Sequence, residues 1–563
     1  MGTTFNFGRL RAGKPAPSVV SSGAFRIALL GDFSGRAHRG ERRSSDELAH
    51  CKPLRLDVDS IDKVIASFGT TLRLPLGGPA EGGMELRLGS LDDLHPDTLG
   101  SNLSLFSGLA RLRQQLADPR TFAAAAAEVR AWAAAAPAAA APVAPSRARG
   151  NTLRVDAKLS DFARLVGLPA AFAPPPGPID ALLQRIVAPH VVQAAAPDAP
   201  CLTAAVDDAL SAAMRGVLHD PDFQCLEAAW RSLDFIVRRV ETDETLEIVL
   251  YDISAEEFAA DLSATDQIED TGLYRLLVEQ PASDAHQGSL SALIGHYGFE
   301  MTPPHAELLG RIAGIAARAR APFIAAVGRD CIGMQVEDMH PRVVAAWKAL
   351  RELPAARFLA LTVPRFLLRT PYGARTDPID SFAFEEFDAQ AGLKTLLWGN
   401  PAVLAAVLLG EHARAAGVRQ APGRLLSVGD MPFFFHTDPD GETVALPGTE
   451  RLLSERSAAQ VHGLGFIPVL AIRGRPELRL GGFLSLAGTP LAGPWTPANG
   501  LPEPADDPVP PSAAAVSAPP AAEPAADAEL DDLLAALKDS TDAEPTPPHG
   551  AIDPALAALL KDL

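Results

Sequence analysis

The chain has 563 residues and a formal charge of −19 at neutral pH, and its 47% hydrophobic and 21% charged content is that of a globular protein long enough for more than one core. The acidic balance argues against sequence-independent binding of nucleic acid. Cys51, Cys201, Cys225 and Cys331 are scattered without CxxC or Cys/His spacing, which gives neither a zinc module nor a disulfide framework, and no apolar run approaches the roughly 20 residues that span a bilayer, so a reducing, cytoplasmic setting is the expectation.

Residues 1–24 read as a polar, proline-containing arm. Within it GRLRAGKP (Gly8 to Pro15) has the G-x4-G-K spacing of a phosphate loop. Pro15 stands where Ser or Thr would hold magnesium and no strand precedes the motif, so the match reads as chance. FRIALL (Phe25 to Leu30) predicts a strand that runs into Gly31-Asp32-Phe33-Ser34-Gly35. A nucleophile elbow requires G-x-S-x-G, and here the serine is one position late, so the turn reads as a strand exit rather than a catalytic site.

Leu54, Leu56 and Val58 alternate as in a half-buried strand, and Ile61, Val64, Ile65 and Phe68 follow at helical spacing. MELRLGSLDDLHPDTL repeats strand then helix, with Asp97 expected to cap a helix carrying Leu99, Leu103, Leu105 and Leu109. Alanine dominates from Thr121 to Pro145, where a helix beginning at Phe122 is broken by Pro137, Pro142 and Pro145. The stretch LSDFARLVGLP, the linker AFAPPPGP and a short helix from Ile179 lead into a larger region opening near Cys201.

There two helices are expected on either side of Asp220-Pro221, the second turning Leu226, Trp230, Leu233 and Ile236 to a core. LEIVLYDIS, SLSALIGHYGF, APFIAAVG and ARFLALTVP read as strands separated by helices such as HAELLGRIAGIAARAR, the pattern of a layered α/β sheet covered on both faces. Leu425 to Leu486 is richer in strand and turn, with a hairpin expected around Asp440-Gly441. Beyond Trp495 the chain is rich in Pro, Ala and acid; from Leu501 to Leu563 it has 13 acidic against 2 basic residues, so this tail carries −11 and the first 500 residues −8. Its composition predicts disorder.

Chemical motifs are sparse. No HExxH occurs, His190, His286, His296 and His305 lack partner ligands at helical spacing, and His219 and His340 beside prolines suit turns and caps. The acid pairs Asp92/Asp93 and Glu385/Glu386 suit a solvated face, while FLLRTPYG and LLWGNPA suit packed corners. No catalytic residue, cofactor or metal site is nominated.

The blocks AAWRSLDFIVRRVETDETLEIVLYDIS, APFIAAVG, WKALRELPAARFLALTVPRFLLRTPYG, FAFEEFDA, LLWGNPAVLAAVLL and LGFIPV, collinear between roughly Ile179 and Leu486, resemble the large sheath subunit (TssC, or VipB) of bacterial type VI secretion systems. FRIALLGDFSGR, PLRLDVDSIDKVIASFGTTLRLPL and LRLGSLDDLHPDTL resemble the small subunit (TssB, or VipA). The resemblance implies a natural fusion of the two, of contractile-sheath-like α/β fold: an arm (1–24), a small-subunit domain (25–120), an Ala/Pro junction (121–178), a large-subunit domain (179–495) and an acidic tail (496–563). It implies a structural protomer that polymerises around an inner tube in the bacterial cytoplasm, docked on an envelope-anchored baseplate, and contracts to drive the tube out.

The resemblance further implies that exchanged strands stitch neighbouring protomers, a role assigned to Phe25, Ile27 and Leu29 and, near the C-terminus, to Phe466, Ile467, Leu470, Leu480 and Phe483. Removing residues 1–30 is then expected to leave a soluble monomer. A ClpV-type AAA+ unfoldase is the implied partner of a short helix whose apolar stripe is Ile179, Leu182, Leu183 and Ile186. From the sequence itself, the tail islands carrying Leu530, Leu533, Leu534 and Leu537, and Ile552, Leu556, Leu559 and Leu560, read as further docking helices. An accessory protein docking on a sheath built from separate subunits, and a hydrolase using the GDFSG turn, are the competing classes.

Overall fold

A nine-stranded sheet organises the chain, and its neighbours are not those of sequence order. The structure, a computed structural model, describes residues 5–11, 24–74, 84–135, 199–283, 288–437, 442–472 and 474–497. Its strands are β1 (Phe25–Gly31), β2 (Leu54–Leu56), β3 (Thr71–Leu74), β4 (Met84–Arg87), β5 (Leu246–Asp252), β6 (Ala292–Phe299), β7 (Phe323–Val327), β8 (Leu359–Val363), β9 (Phe366–Leu367), β10 (Trp398–Gly399), β11 (Ser427–Val428), β12 (Phe435–Thr437), β13 (Thr443–Ala445), β14 (Ile467–Ala471) and β15 (Leu478–Leu480). The main sheet has the order β11-β15-β14-β8-β7-β6-β1-β5-β2. From β14 to β5 every pairing is parallel, and antiparallel strands close both edges.

All seven residues of β1 are buried, as a strand covered on both faces requires. Phe25, Ile27 and Leu29 enter one core, whereas Ala28 and Leu30 enter the other. Helices fill the layers. The first face carries α3 (Ile61–Phe68), α5 (Ser104–Ala117), α7 (Ala199–Leu218), α8 (Pro221–Arg239) and α12 (Ala402–Ala416); the second carries α9 (Ala255–Ser263), α10 (Pro303–Ala319), α11 (Pro341–Glu352) and α13 (Glu455–Gly463). Helix α8 begins where Pro221 fits the first turn and the Asp220 carboxylate accepts the Asp222 and Phe223 N–H groups. It buries Leu226, Trp230, Leu233 and Ile236 as the periodicity predicts, each worth about 1.5–3 kcal/mol against exposure. Helix α6 (Phe122–Ala135) starts where the alanine tract predicts.

Several expectations are corrected. The helix expected after Asp97 is two: α4 (Pro96–Asn102) ends at Leu103, where extended backbone intervenes before α5. His95, not Asp97, caps α4 through Nδ1, because Pro96 fixes the first helical position one residue earlier; Asp97 instead accepts the Asp380 and Ser381 N–H groups. Val58 leaves the strand and is exposed in a turn. Glu386 is buried while Glu385 is exposed, so that pair does not share a solvated face. The hairpin pairing is as predicted, β12 antiparallel to β13, and the FLLRTPYG and LLWGNPA corners meet as β9 and β10.

The described part of the arm is docked. Phe5, Phe7 and Leu10 lie against the second core, the Arg9 N–H donates to the Asp266 carbonyl at 2.7 Å and the Ile268 N–H returns to Arg9 at 3.0 Å. Phe7 occupies the space a side chain at Gly310 would need: a Cβ there would lie 2.3 Å from its ring. The residues assigned to two sheath domains, 25–120 and 179–495, share the main sheet, and the described residues form one compact unit. Ile179, Leu182, Leu183, Ile186 and the leucines of both tail islands lie outside the described residues.

Candidate functional site

Strand β1 occupies a slot between two strands more than 200 residues away in sequence. Phe25 to Gly31 pair with Leu246 to Asp252 of β5, and Ile27 to Leu30 pair with Ala292 to Gly295 of β6. Remove it and β5 and β6 have no common neighbour. The exchange residues Phe25, Ile27 and Leu29 are therefore core residues of a centrally paired strand, at most 3% exposed, rather than a free edge. Ile467 and Leu470 lie in β14 and Leu480 in β15, both interior to the sheet, while Phe466 and Phe483 flank these strands and are buried. The edges of the main sheet are β2 and β11.

At the C-terminal end of β1 the GDFSG turn is held by charge. The Asp252 carboxylate, at the end of β5, accepts the Phe33 and Ser34 N–H groups at 2.9 and 3.1 Å. Arg36 pairs with Asp252 and with Glu257 of α9, the latter at 2.9 Å. The Ser34 hydroxyl accepts from the same guanidinium at 2.7 Å and is 3% exposed, so its environment fixes the turn. Asp32 accepts the Arg36 and Ala37 N–H groups, starting helix α1 (Arg36–Arg39). Gly35 has φ 67°, a left-handed conformation that suits glycine.

Burial works against the Arg36 charge, but its bonds to Glu257 and Asp252 more than offset this and hold it protonated. Burial, then Asp252, push the Asp32 carboxyl above its ordinary range. His38 Nδ1 lies 3.1 Å from the Asp222 carboxylate; burial disfavours its charge, yet Asp222, Asp32 and Asp220 together raise its pKa above the ordinary value.

A second buried cluster ties α8 to the corner after β9. Arg369, buried, bonds Glu227 at 2.7 Å and Glu386 at 2.7 Å, and Arg231 joins Glu227 to the Tyr372 hydroxyl. Burial opposes ionisation of Glu227, and Arg369 with Arg231 overcome it, so its carboxyl lies below its usual range. Neither cluster was readable from sequence, because Arg36 stands 221 residues from Glu257 and Arg369 stands 142 from Glu227. Both have their charges matched inside the chain, which makes them struts rather than open ligand sites.

Among the described residues no group of three His, Cys, Asp or Glu side chains is placed to hold a metal, and no helix is long and apolar enough to cross a membrane. His340 caps α11, as its position before Pro341 predicts.

The model of the VipB family, described as EvpB/VC_A0108, tail sheath N-terminal domain, matches residues 201–486. The chain is 36% identical over 290 residues to the type VI secretion system sheath protein TssC1 of Pseudomonas aeruginosa, a match covering 48% of this chain and 57% of that protein. The chain thus spans little more than half the length of this relative. The family is structural, and its matched segment supplies every strand of the main sheet except β1 and β2. With half of its length matched by that model, the chain belongs to the VipB family of tail sheath proteins.

Proposed function

We propose that this chain is a protomer of the type VI secretion contractile sheath in which small-subunit and large-subunit portions are joined in one polypeptide. The observation supporting this is the slot in the family-matched sheet: β5 and β6 lie within residues 201–486, yet the strand between them is β1, from the segment resembling the small subunit. A strand that two separate subunits would share is here provided in cis. Such protomers polymerise through heterologous contacts that do not close, generating an open helical tube. The stored free energy lies in the packing of the extended lattice and is released by rigid-body rearrangement.

In this reading the tube forms in the bacterial cytoplasm around an inner tube protein, on a baseplate, and is dismantled by a ClpV-type unfoldase acting on the Ile179, Leu182, Leu183 and Ile186 stripe. The tail leucines supply further docking. Exchange through Phe25 to Leu30 would break two parallel ladders at once, so links that leave the sheet intact use surfaces other than β1. A second reading, an accessory protein docking on a sheath of other subunits, is motivated by the Ala/Pro tract from Thr121 to Pro145 and the long acidic tail. Ultracentrifugal pelleting separates the two. A protomer pellets alone as a polymer, whereas an accessory protein pellets only when preformed sheath is added.

A further inference from the structure

Six large hydrophobic side chains are exposed among the described residues: Val58, Val336, Leu425, Phe435, Val444 and Leu452. Val58 alone has an acidic neighbour on each side, Asp57 and Asp59. It is 51% exposed at the tip of the turn between β2 and α3, and that turn is fixed, since Asp57 accepts the Asp59 N–H at 3.0 Å while the Ser60 hydroxyl accepts the Asp57 N–H at 2.9 Å. The Asp59 carboxylate has no partner within the described chain. The turn therefore presents Val58 between two carboxylates, beside a cavity of about 910 Å³ that Arg55, Arg238 and Arg239 also line.

On the other half of the sheet lies a complementary cavity of about 370 Å³ beside α11. Met301, Val336 and Trp347 line it together with Lys348, Arg351 and Glu352, and Arg351 also donates to the Gly463 carbonyl at 3.3 Å. Lys348 makes no hydrogen bond or ion pair with any described residue, and Trp347 is fixed edge-on against Phe466 at 5.6 Å. The Val58 turn and the α11 cavity cannot meet within one copy: β2 and β8 are five strand spacings apart, about 24 Å at roughly 4.8 Å each. A contact between them must join two copies, and because the two surfaces differ it is head to tail, the kind that propagates an open filament.

We propose that the Asp57-Val58-Asp59 turn of one copy seats in the α11 groove of the next, Val58 over Trp347 and the aspartates against Lys348 and Arg351. The occupant is thus a second copy of this chain, chosen by the match of an acid-flanked valine to an apolar groove whose lining includes Lys348 and Arg351. The inference deepens the sheath reading and rests on it for the filament.

The test uses the full-length protein, mixed from isotopically light and heavy preparations and treated with a carbodiimide that joins touching carboxylates and amines. Mixed-isotope peptide pairs linking Lys348 to Asp57 or Asp59 are the expected result; their absence from all associated species overturns the contact. Asp57→Lys with Asp59→Lys, or Lys348→Glu with Arg351→Glu, is expected to lower the pelleted fraction about tenfold, and all four reversals together to restore it to within about threefold. Unchanged pelleting of either double variant, or no recovery in the fourfold variant, also overturns it. The substituted positions lie at the surface, and circular dichroism checks that each variant is folded. Wild-type protein that yields the linked pair but never pellets contradicts the sheath reading and leaves the contact standing. Filaments without the pair do the reverse.

Discussion

Replacing Arg36 with methionine removes the charge that joins the first strand's exit loop to β5 and α9 while keeping most of the side-chain volume. It strands two carboxylates, Asp252 at 4% and Glu257 at 0% exposure, which the guanidinium now pairs. Breaking one partner of a buried pair costs about 3–5 kcal/mol, because the remaining charge is desolvated and uncompensated. Two features pull toward the lower end. Arg43 stays 4.0 Å from Asp252, and the Phe33 and Ser34 N–H groups still donate to it. With roughly 400 structured residues at about 2.1 cal/mol/K each, such a loss lowers the melting temperature by about 4–6 °C. Urea denaturation of wild type and Arg36→Met, followed by tryptophan fluorescence, measures it directly, Trp230 lying 5.7 Å from Phe33 of the same loop. A loss below about 1 kcal/mol would refute the claim that this cluster holds the N-terminal segment in the sheet.

Deleting residues 1–30 removes a strand paired on both sides, so the product is expected in inclusion bodies or as a non-cooperatively melting species; a soluble monomer with a sharp transition would contradict the central placement of β1. Gly310→Ala sets a Cβ where the Phe7 ring sits, and hydrogen exchange at residues 5–11 should accelerate at least about tenfold while the sheet's protection is retained. Ser34→Ala should cost about 1.5–3 kcal/mol, the loss of a hydrogen bond to a charged donor, and any hydrolysis the protein showed that vanished with the fold intact would revive the enzyme reading. His38 has a folded-state pKa raised above 6.5 by Asp222, Asp32 and Asp220, so its contribution is complete below pH 6.5 and fades as pH rises through the raised value. Stability of His38→Gln, measured across that interval, should lack this decline.

The elements were legible in the sequence where local rules decide them. Asp220-Pro221 announces a helix start by cap chemistry, and the apolar runs at Leu246, Ala292, Phe323 and Leu359 are the covered parallel strands their composition implies. Neighbours were less legible. FRIALLG shows a strand plainly, and the apolar run from Ile27 to Leu30 was the available sign that it is covered on both faces, although Arg26 separates it from Phe25 and is buried against Glu247; nothing in a strand's own residues names the ladder it joins. Its assignment to a small-subunit domain followed the family resemblance, and the main sheet joins strands from both assigned segments. The ion clusters were hidden for the same reason, since charge pairing across 142 or 221 residues leaves no local pattern. Glu386 illustrates it: beside Glu385 it reads as half of a solvated pair, yet Arg369 makes it a buried strut.

The central claim is that one polypeptide supplies everything a sheath protomer needs, the shared strand included. Negative-stain imaging of the purified full-length chain, without any added subunit, tests it most directly. Hollow helical tubes are the expected result. A field of dispersed single particles, under conditions where separate sheath subunits assemble, would contradict it.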